Sequence, residues 1–389
     1  MPRAKLPEHS PVGASSAHRF IPCPASVPLA ASCAGDDEDD TYSKVGTAAH
    51  KVAATALNKS RAAFEFVGKT VLGVKVDAEM SNAVQVYLDY VNALPVLDCG
   101  PSFVEERFHC PSIHQLFYGT TDFATVLGRK LVVADYKHGA GIVVEAKDNP
   151  QLLYYAAGIL EKFKLWDRVD LIEVVIVQPR GWHSQGPIRD WSISTVDLRK
   201  WLDGTLVPAI ERALEATVDQ AASGEHCRFC PVRLRKCPRL WADVEELKKL
   251  MAQDTKAQPY TATEVGRLLD LGQVFKIAHK AALQVGTAML NRGVTVPGWK
   301  LSPARTNREW RPEAEKELIE TFGDEAFKPK ELISPADAEK KPLGEALAAK
   351  YAFKPDGGLT LTPDSDPRPA VNKDTKSLFT PQSKLKGKK

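Results

Sequence analysis

Residues 119–137 read GTTDFATVLGRKLVVADYK. Residues 121–127 are rich in β-branched and apolar side chains, and residues 131–136 are apolar again. Between them, residues 128–130 (GRK) form a sequence that can turn. The stretch therefore predicts a β-hairpin, and we expect the rest of the fold to be arranged around it.

Two aspartates and a lysine lie at one end of this predicted hairpin. Because side chains alternate along a strand, Asp135 and Lys137 point to the same face, and Asp122 enters beside them across the pairing. Mg²⁺ and Mn²⁺ prefer such hard oxygen ligands, completed by water and phosphate. A metal so held activates water and polarises phosphate, and a nearby lysine can orient that water or offset charge. The alternative interpretation is a solvated hairpin with ordinary surface charges.

The composition is that of a soluble globular protein. Apolar residues make up 43% and charged residues 26% of the 389 residues, a length that allows two domains and a sizeable core. The net charge of +3 is too small to predict nucleic-acid binding by itself. There is neither an apolar run of membrane-spanning length nor a signal-peptide core. We therefore expect a cytoplasmic protein without a membrane partner, whose seven cysteines are reduced.

A histidine upstream of the hairpin is a further ligand candidate. Residues 46–50 read GTAAH and open a segment whose apolar residues keep helical spacing. Thr47 is a natural N-cap, which predicts that His50 lies in the first turn of that helix. An imidazole can complete a carboxylate metal site, although a surface or packing role is the more common one for a histidine there.

The remaining pattern predicts a mixed sheet flanked by helices, an α/β fold. Strands are expected over residues 102–108, 142–144, 171–178 and 189–194, and helices over 80–94, from Asn149-Pro150 onward, and over most of 195–222. Glu105 or Glu106 in the first of these strands can add a carboxylate to the site. A solvent-facing glutamate is the preferred interpretation of both residues.

Gln151 and Tyr155 form a second polar pair. They are spaced i and i+4, so they share one face of the predicted helix. The pair can meet a DNA phosphate or make an ordinary amphipathic contact, and the residues alone do not choose between these interpretations.

The cysteines are clustered in the order C-x₂-C-x₆-C at Cys227, Cys230 and Cys237. Three thiols this close in a reducing compartment indicate a metal. A fourth ligand is required, and Cys23 is the candidate because it also precedes a proline. Four thiolates can hold an iron–sulfur cluster or a structural zinc. Such a centre would join the two ends of the first 240 residues as a clasp, while Cys33, Cys99 and Cys110 are isolated in the sequence.

The composition changes beyond Gln258-Pro259, and we expect a first domain over 1–254 and an accessory region over 255–389. Residues 261–264 (TATE) match a capping box that opens a helix to about Asn291. Residues 305–311 (RTNREWR) can track single-stranded nucleic acid or form a packed loop. The end of the chain is expected to be a flexible basic tail.

Read together, the motifs occur in a distinctive order: Cys23, GTAAH ending at His50, GTTD at 119–122, DYK at 135–137, Q-x₃-Y at 151–155 and the cysteines at 227–237. This order resembles the RecB-like branch of the PD-(D/E)XK nuclease superfamily. It is especially similar to members with an iron–sulfur clasp, such as AddB-type helicase-nucleases and CRISPR-associated RecB-like exonucleases. The match covers roughly residues 15–240. The whole chain also resembles a phage- and prophage-associated RecB-like family, including its segments 297–301 and 360–369.

The resemblance implies a restriction-endonuclease-like core with a Mg²⁺ or Mn²⁺ site. His50, Asp122 and Asp135 would be metal ligands, and the Tyr136 carbonyl a further one. Lys137 would be the catalytic lysine. The second acidic position is Asp here, whereas many relatives have Glu, and the superfamily tolerates that exchange.

The resemblance also implies roles for the two flanking motifs. Gln151 and Tyr155 would belong to the motif on the DNA side of the site. A 4Fe–4S cluster, with structural Zn²⁺ as the alternative, would be held by Cys23, Cys227, Cys230 and Cys237.

The implied activity is metal-dependent hydrolysis of DNA, more as an exonuclease at DNA ends than as an endonuclease, in phage recombination or replication. The alternative is a nucleic-acid-binding or assembly protein that keeps the nuclease fold without cutting. By analogy, a phage single-strand annealing or binding protein is an expected partner besides DNA. Oligomeric state stays open, since some nucleases of this superfamily are rings and others are monomers.

Overall fold

The computed structural model describes residues 9–33, 41–95, 100–235, 237–252 and 260–300, with isolated positions elsewhere. All of these five segments belong to one compact unit, Met1–Ser302. Three features of the sequence lie outside the described residues, namely Cys99, the basic segment 305–311 and the chain from 360 to its end.

The described strands form a short hairpin and one five-stranded sheet. The hairpin pairs β1 (Thr70–Val71) with β2 (Val74–Lys75). The sheet strands are β3 (Ser102–His109), β4 (Tyr118–Leu127), β5 (Lys130–Tyr136), β6 (Leu171–Val177) and β7 (Ile188–Ser194). They lie in the order β3-β4-β5-β6-β7, antiparallel except for the parallel pair β5–β6. The predicted mixed sheet is confirmed.

The hairpin of β4 and β5 forms where the sequence predicts it. The strands pair antiparallel up to Leu127 and Lys130, and Gly128 takes a left-handed φ of 62° in the turn, which favours glycine. Its second strand, β5, lies at the centre of the sheet. The chain therefore places Asp135 near the end of the most protected strand.

Helices cover both faces of the sheet. The described α-helices are α1 (Ala14–Phe20), α2 (Ser26–Ala31), α3 (Thr41–Asn58), α4 (Ala78–Ala93), α5 (Pro150–Lys162), α6 (Thr195–Trp201), α7 (Val207–Glu215), α8 (Pro238–Met251) and α9 (Ala262–Asn291). Helix α5 begins as predicted, because the Asn149 side chain accepts from the amides of Gln151 and Leu152 and Pro150 occupies the first turn. None of the described helices is both long and apolar enough to cross a membrane.

The side chains of β5 point alternately to the two faces of the sheet, so the apolar core has two layers. Leu131 and Val133 pack with α1, α5, α6 and α7, whereas Val132, Ala134 and Tyr136 pack with α3 and α4. Asp135 has the same strand parity as Leu131 and Val133. The strand that carries it is therefore apolar on both sides.

Residues 142–144 do not form the predicted strand. The Gln178 side chain donates to the Ile142 carbonyl at 2.8 Å and accepts from the Val144 amide at 3.0 Å, while Arg189 donates to the Val144 carbonyl at 2.8 Å. These side chains satisfy the backbone groups that a neighbouring strand would otherwise pair. The segment is consequently a fixed loop between β5 and α5.

Helix α9 packs against α8 and the cysteine segment. It starts at the predicted capping box of Thr261 and Glu264 and ends at Asn291, with Gly293 following at a φ of 78°. Val274 is buried in the same apolar cluster as the cysteines of that segment. The first part of the predicted accessory region thus contacts the segment of the predicted clasp.

Gly158 and Gly46 give opposite expectations for substitution by alanine. A Cβ on Gly158 of α5 would lie 2.6 Å from Cζ of Phe108 and closer to two other ring carbons, so Gly158→Ala should destabilise by about 1–3 kcal/mol. Gly46 in α3 has open space, so Gly46→Ala should stabilise by about 0.5–1 kcal/mol. Urea unfolding measures both, and equal midpoints for the two variants would contradict the packing of α5 on β3.

Candidate metal and catalytic centre

Asp122 and Asp135 lie side by side on the two strands of the hairpin. The β4–β5 ladder extends to the pair Phe123–Ala134, and the next positions are these two aspartates. The ladder changes there, because the Tyr136 amide donates to Oδ2 of Asp122 at 2.9 Å. The Asp122 side chain thus takes the place of a main-chain acceptor, and the two aspartates occupy neighbouring positions on the paired strands.

The Asp135 carboxylate is 2% exposed. Lys137 Nζ lies 2.8 Å from Oδ2 of Asp135, but the contact does not have the angles of a hydrogen bond. No other described residue donates a hydrogen bond to that oxygen. Burial and the neighbouring Asp122 charge raise the pKa of Asp135, while Lys137 opposes the rise. A buried carboxylate oxygen without a donor is costly. A divalent cation would satisfy it.

His50 reaches Asp122 from the helix on the other face of the sheet. Its Nδ1 lies 3.2 Å from Oδ2 of Asp122, and its ring meets Tyr136 edge-on at a centroid distance of 5.4 Å. Desolvation lowers the pKa of His50, but the Asp122 carboxylate raises it more strongly, to about 9. In the metal-free protein the two side chains form an ion pair, which in turn lowers the pKa of Asp122 against its burial.

The predicted helix start at Thr47 is wrong. Helix α3 begins at Thr41, and Thr47 donates its hydroxyl to the Ser43 carbonyl one turn back. His50 therefore lies in the interior of the helix, where its position is fixed by regular helical geometry. Its proximity to Asp122 does not depend on a capping turn.

Glu105 is the residue that the sequence interpretation underestimated. Ligand atoms of His50, Glu105 and Asp122 lie within 4.8 Å of one another. Glu105 lies between β3 positions paired with Thr121 and Phe123, so its position faces Asp122, and it takes a left-handed φ of 49°. Desolvation and the Asp122 charge raise its pKa. The sequence alone does not show this position, because it depends on the register in which β3 pairs with β4.

Lys137 is held by the pair on α5. Its Nζ donates to Oε1 of Gln151 at 2.9 Å, and Gln151 Nε2 donates to the Tyr155 hydroxyl at 3.0 Å. The i and i+4 spacing thus builds a hydrogen-bonded chain that ends on the lysine. This contact orients Lys137 toward Asp135 and agrees with a place for both α5 residues beside the site.

Tyr136 makes hydrogen bonds near the site through both its main chain and its side chain. Its amide binds Asp122, and its hydroxyl lies 2.8 Å from Nδ1 of the buried His138. Burial and Arg180 lower the pKa of His138 to about 4, so His138 is neutral at pH 7. Sequence reasoning missed His138. The role predicted for the Tyr136 carbonyl stays a prediction.

The four predicted cysteine ligands are all buried. Cys23 follows α1, and its sulfur accepts from the Ala222 amide at 3.4 Å, near the segment that carries the other three. Burial raises the pKa of Cys227 to about 11, with smaller contributions from the other three cysteines. The structure therefore brings the two ends of the predicted clasp together.

The spacing of these sulfurs is wider than that of a closed zinc site. No three sulfurs of these four described cysteines lie within 4.8 Å of one another. Tetrahedral zinc with bonds of about 2.3 Å would hold its sulfurs about 3.8 Å apart. Cys33 packs against the same cluster, whereas Cys110 donates to the Gly158 carbonyl at 3.6 Å.

His50 should titrate at about pH 9 in the metal-free protein. Asp122→Asn keeps the side-chain shape and removes the charge, so the pKa of His50 should fall by roughly one unit or more. Because the folded pKa exceeds the ordinary value of 6.5, the ion pair stabilises the metal-free fold fully below about pH 6.5 and loses that contribution as pH rises through 9. NMR titration of the imidazole measures the pKa, with exposed Asp167→Asn as the control. An unchanged pKa in Asp122→Asn would refute the pairing.

The comparison with known families covers almost the whole chain. Residues 9–369 match the family described as "Protein of unknown function (DUF2800)". The match includes His50, both aspartates, Lys137 and the cysteine segment. The chain belongs to the DUF2800 family.

Proposed function

We propose that this protein is a metal-dependent DNA nuclease with a RecB-like PD-(D/E)XK core. The observation that carries the proposal is the convergence of Asp122, Asp135 and Lys137 at one end of the central hairpin, with His50 3.2 Å from Asp122. The order of these motifs along the chain supports it independently. The five-stranded mixed sheet with helices on both faces is compatible with such a core.

The residues at the site fit a hard divalent cation. Ligand atoms of His50, Glu105 and Asp122 lie within 4.8 Å of one another and would hold Mg²⁺ or Mn²⁺. Asp135, at the adjacent position of β5, and the Tyr136 carbonyl would complete the site. The buried Oδ2 of Asp135 supports this assignment, because the Lys137 ammonium 2.8 Å away does not donate a well-aligned hydrogen bond to it. A bound cation would supply Lewis-acid polarisation of a phosphoryl oxygen and acidification of water.

Lys137, together with Gln151 and Tyr155 of α5, forms the rest of the proposed site. The ammonium group of Lys137 lies beside Asp135 and can orient a water molecule or offset charge on the phosphate as the bond to the leaving oxygen breaks. Gln151 fixes this ammonium group, and Tyr155 fixes Gln151. This arrangement holds the lysine in place before substrate binds, which reduces the cost of ordering it during reaction.

The substrate is proposed to be DNA, cut from its ends. Hydrolysis would leave a 5′-phosphate if it follows the superfamily. A role in phage recombination or replication and a phage single-strand annealing protein as partner rest on the same resemblance.

We also propose that Cys23, Cys227, Cys230 and Cys237 hold a 4Fe–4S cluster. Their burial and the approach of Cys23 to the segment that carries the other three cysteines support a shared centre. The cluster would serve as a clasp between the segment after α1 and the segment before α8. Its contribution would be to hold the fold together, as structural metal centres do.

Mn²⁺-dependent digestion of end-labelled linear DNA beside closed circular DNA tests the activity. We expect wild type to digest linear DNA only. Asp135→Asn should abolish digestion because a carboxamide carries no charge for the cation, and Lys137→Met should slow it by about 10²–10³-fold.

Asp167→Asn is the matched control, since this aspartate is exposed and lies between α5 and β6. Cleavage of circles that depends on Asp135 would make the enzyme an endonuclease. Cleavage unaffected by Asp135→Asn and Lys137→Met would refute the site. No cleavage by protein with an intact metal centre at its cysteines would favour a non-cleaving nucleic-acid-binding protein.

The cysteine centre is tested by colour and metal content. Anaerobically purified protein should be brown and contain about four iron atoms and four sulfides per chain. Cys237→Ser should lose most of the iron and unfold at lower temperature, whereas Cys110→Ser should keep it. Colourless wild-type protein with one zinc ion per chain would show that the zinc alternative is correct.

A further inference from the structure

The loop between β6 and β7 leaves the sheet beside the catalytic lysine. Strands β5 and β6 are parallel, so both end at the same edge of the sheet. The Lys137 amide donates to the Val177 carbonyl at 2.9 Å, and Gln178 is the next residue along the chain. The loop, residues 178–187, therefore begins next to the proposed reaction centre.

This loop is held rigidly by hydrogen bonds at its base. The Gln178 amide donates to the Pro187 carbonyl at 2.8 Å, which closes the loop, and the Gly186 amide donates to the His183 carbonyl at 3.0 Å. Arg180 donates to the His138 carbonyl at 3.3 Å and pairs with Glu79 at 2.8 Å. The loop is thus tied to the residue that follows Lys137 and to the start of α4.

Trp182 stands at the tip of this loop with 85% of its surface exposed. The polar side chains beside it are engaged elsewhere: Arg180 with Glu79, and His183 with the Gln185 amide and Glu145. A single exposed apolar side chain is ordinary on a protein surface. An exposed indole on a loop that begins next to the proposed reaction centre can stack on a nucleic-acid base.

We propose that Trp182 stacks on an unpaired base of the strand whose phosphate lies at Lys137, so that the preferred substrate is a single-stranded end. The inference rests on the proposed nuclease function for the identity of the ligand. In a blunt duplex, neighbouring pairs cover both faces of each internal base and only the terminal pair exposes one face, whereas a single strand offers free base faces along its length. Stacking of this kind does not depend on sequence, because every base has a π face.

The surroundings of Trp182 favour a base over a protein ligand. His183, Ser184 and Gln185 follow it in the loop, so its immediate sequence neighbours extend no apolar surface. Protein-binding patches are contiguous apolar areas. An exposed aromatic ring followed by polar residues instead fits a planar ligand with a charged backbone.

The test measures, by fluorescence anisotropy, how tightly the full chain binds DNA in the presence of EDTA. The two ligands are a fluorescent oligothymidylate of about 20 nucleotides and a blunt duplex of equal length. Wild type should bind the single strand more tightly. Trp182→Leu keeps apolar bulk without a π face and should weaken single-strand binding roughly five- to hundredfold. Trp182→Phe should retain most of the affinity. Trp241→Ala, a half-exposed tryptophan on α8, is the matched control and should bind as wild type does.

The inference and the proposed function fail separately. The binding assay in EDTA tests Trp182 and needs no cation at Asp135, whereas Mn²⁺-dependent digestion needs Asp135. Equal single-strand binding by wild type and Trp182→Leu overturns the inference, and it would leave a protein as the ligand of this loop. Tighter binding of the blunt duplex, or no DNA binding at all, overturns it as well. Trp182-dependent binding without digestion would support it and refute the nuclease.

Discussion

The buried carboxylate of Asp135 is the constraint on which the rest of the structure depends. It sits near the end of the central strand, whose other side chains pack into apolar layers on both faces. A charge there is costly unless it is paired. Lys137 lies 2.8 Å from Oδ2 of Asp135 and offsets part of the charge, but it does not donate a well-aligned hydrogen bond to that oxygen. Such an arrangement is poor for stability alone and suited to a cation.

The surrounding elements position the partners of this carboxylate. Helix α5 brings Gln151 to Lys137, and α3 brings His50 to Asp122. Helix α1 packs against α5 and also places His18 edge-on to Phe229, between two of the clustered cysteines. The cysteine segment therefore contacts α1, and α1 contacts the helix that carries Gln151.

Local signals made part of this structure predictable from sequence. The hairpin followed from two β-branched runs around Gly128, and α5 followed from Asn149-Pro150. The proximity of Asp122 to Asp135 needed only strand alternation. Glu105 was underestimated because its relation to Asp122 depends on pairing between distant strands and on a left-handed backbone.

Two other features depended on partners that are distant in the sequence. Residues 142–144 have the composition of a strand, but the side chains of Gln178 and Arg189 satisfy their backbone groups and keep them in a loop. Trp182 gave no signal in the sequence, because the start of its loop next to Lys137 is visible only once β5 and β6 are paired.

The most direct test of the central claim is Mn²⁺ binding followed by electron paramagnetic resonance in wild type, Asp135→Asn and Lys137→Met. If the two aspartates and His50 form a cation site, wild type and Lys137→Met will bind Mn²⁺, and Asp135→Asn will lose that binding. Equal Mn²⁺ binding by wild type and Asp135→Asn would contradict the account, since the buried carboxylate would then have no cation to hold.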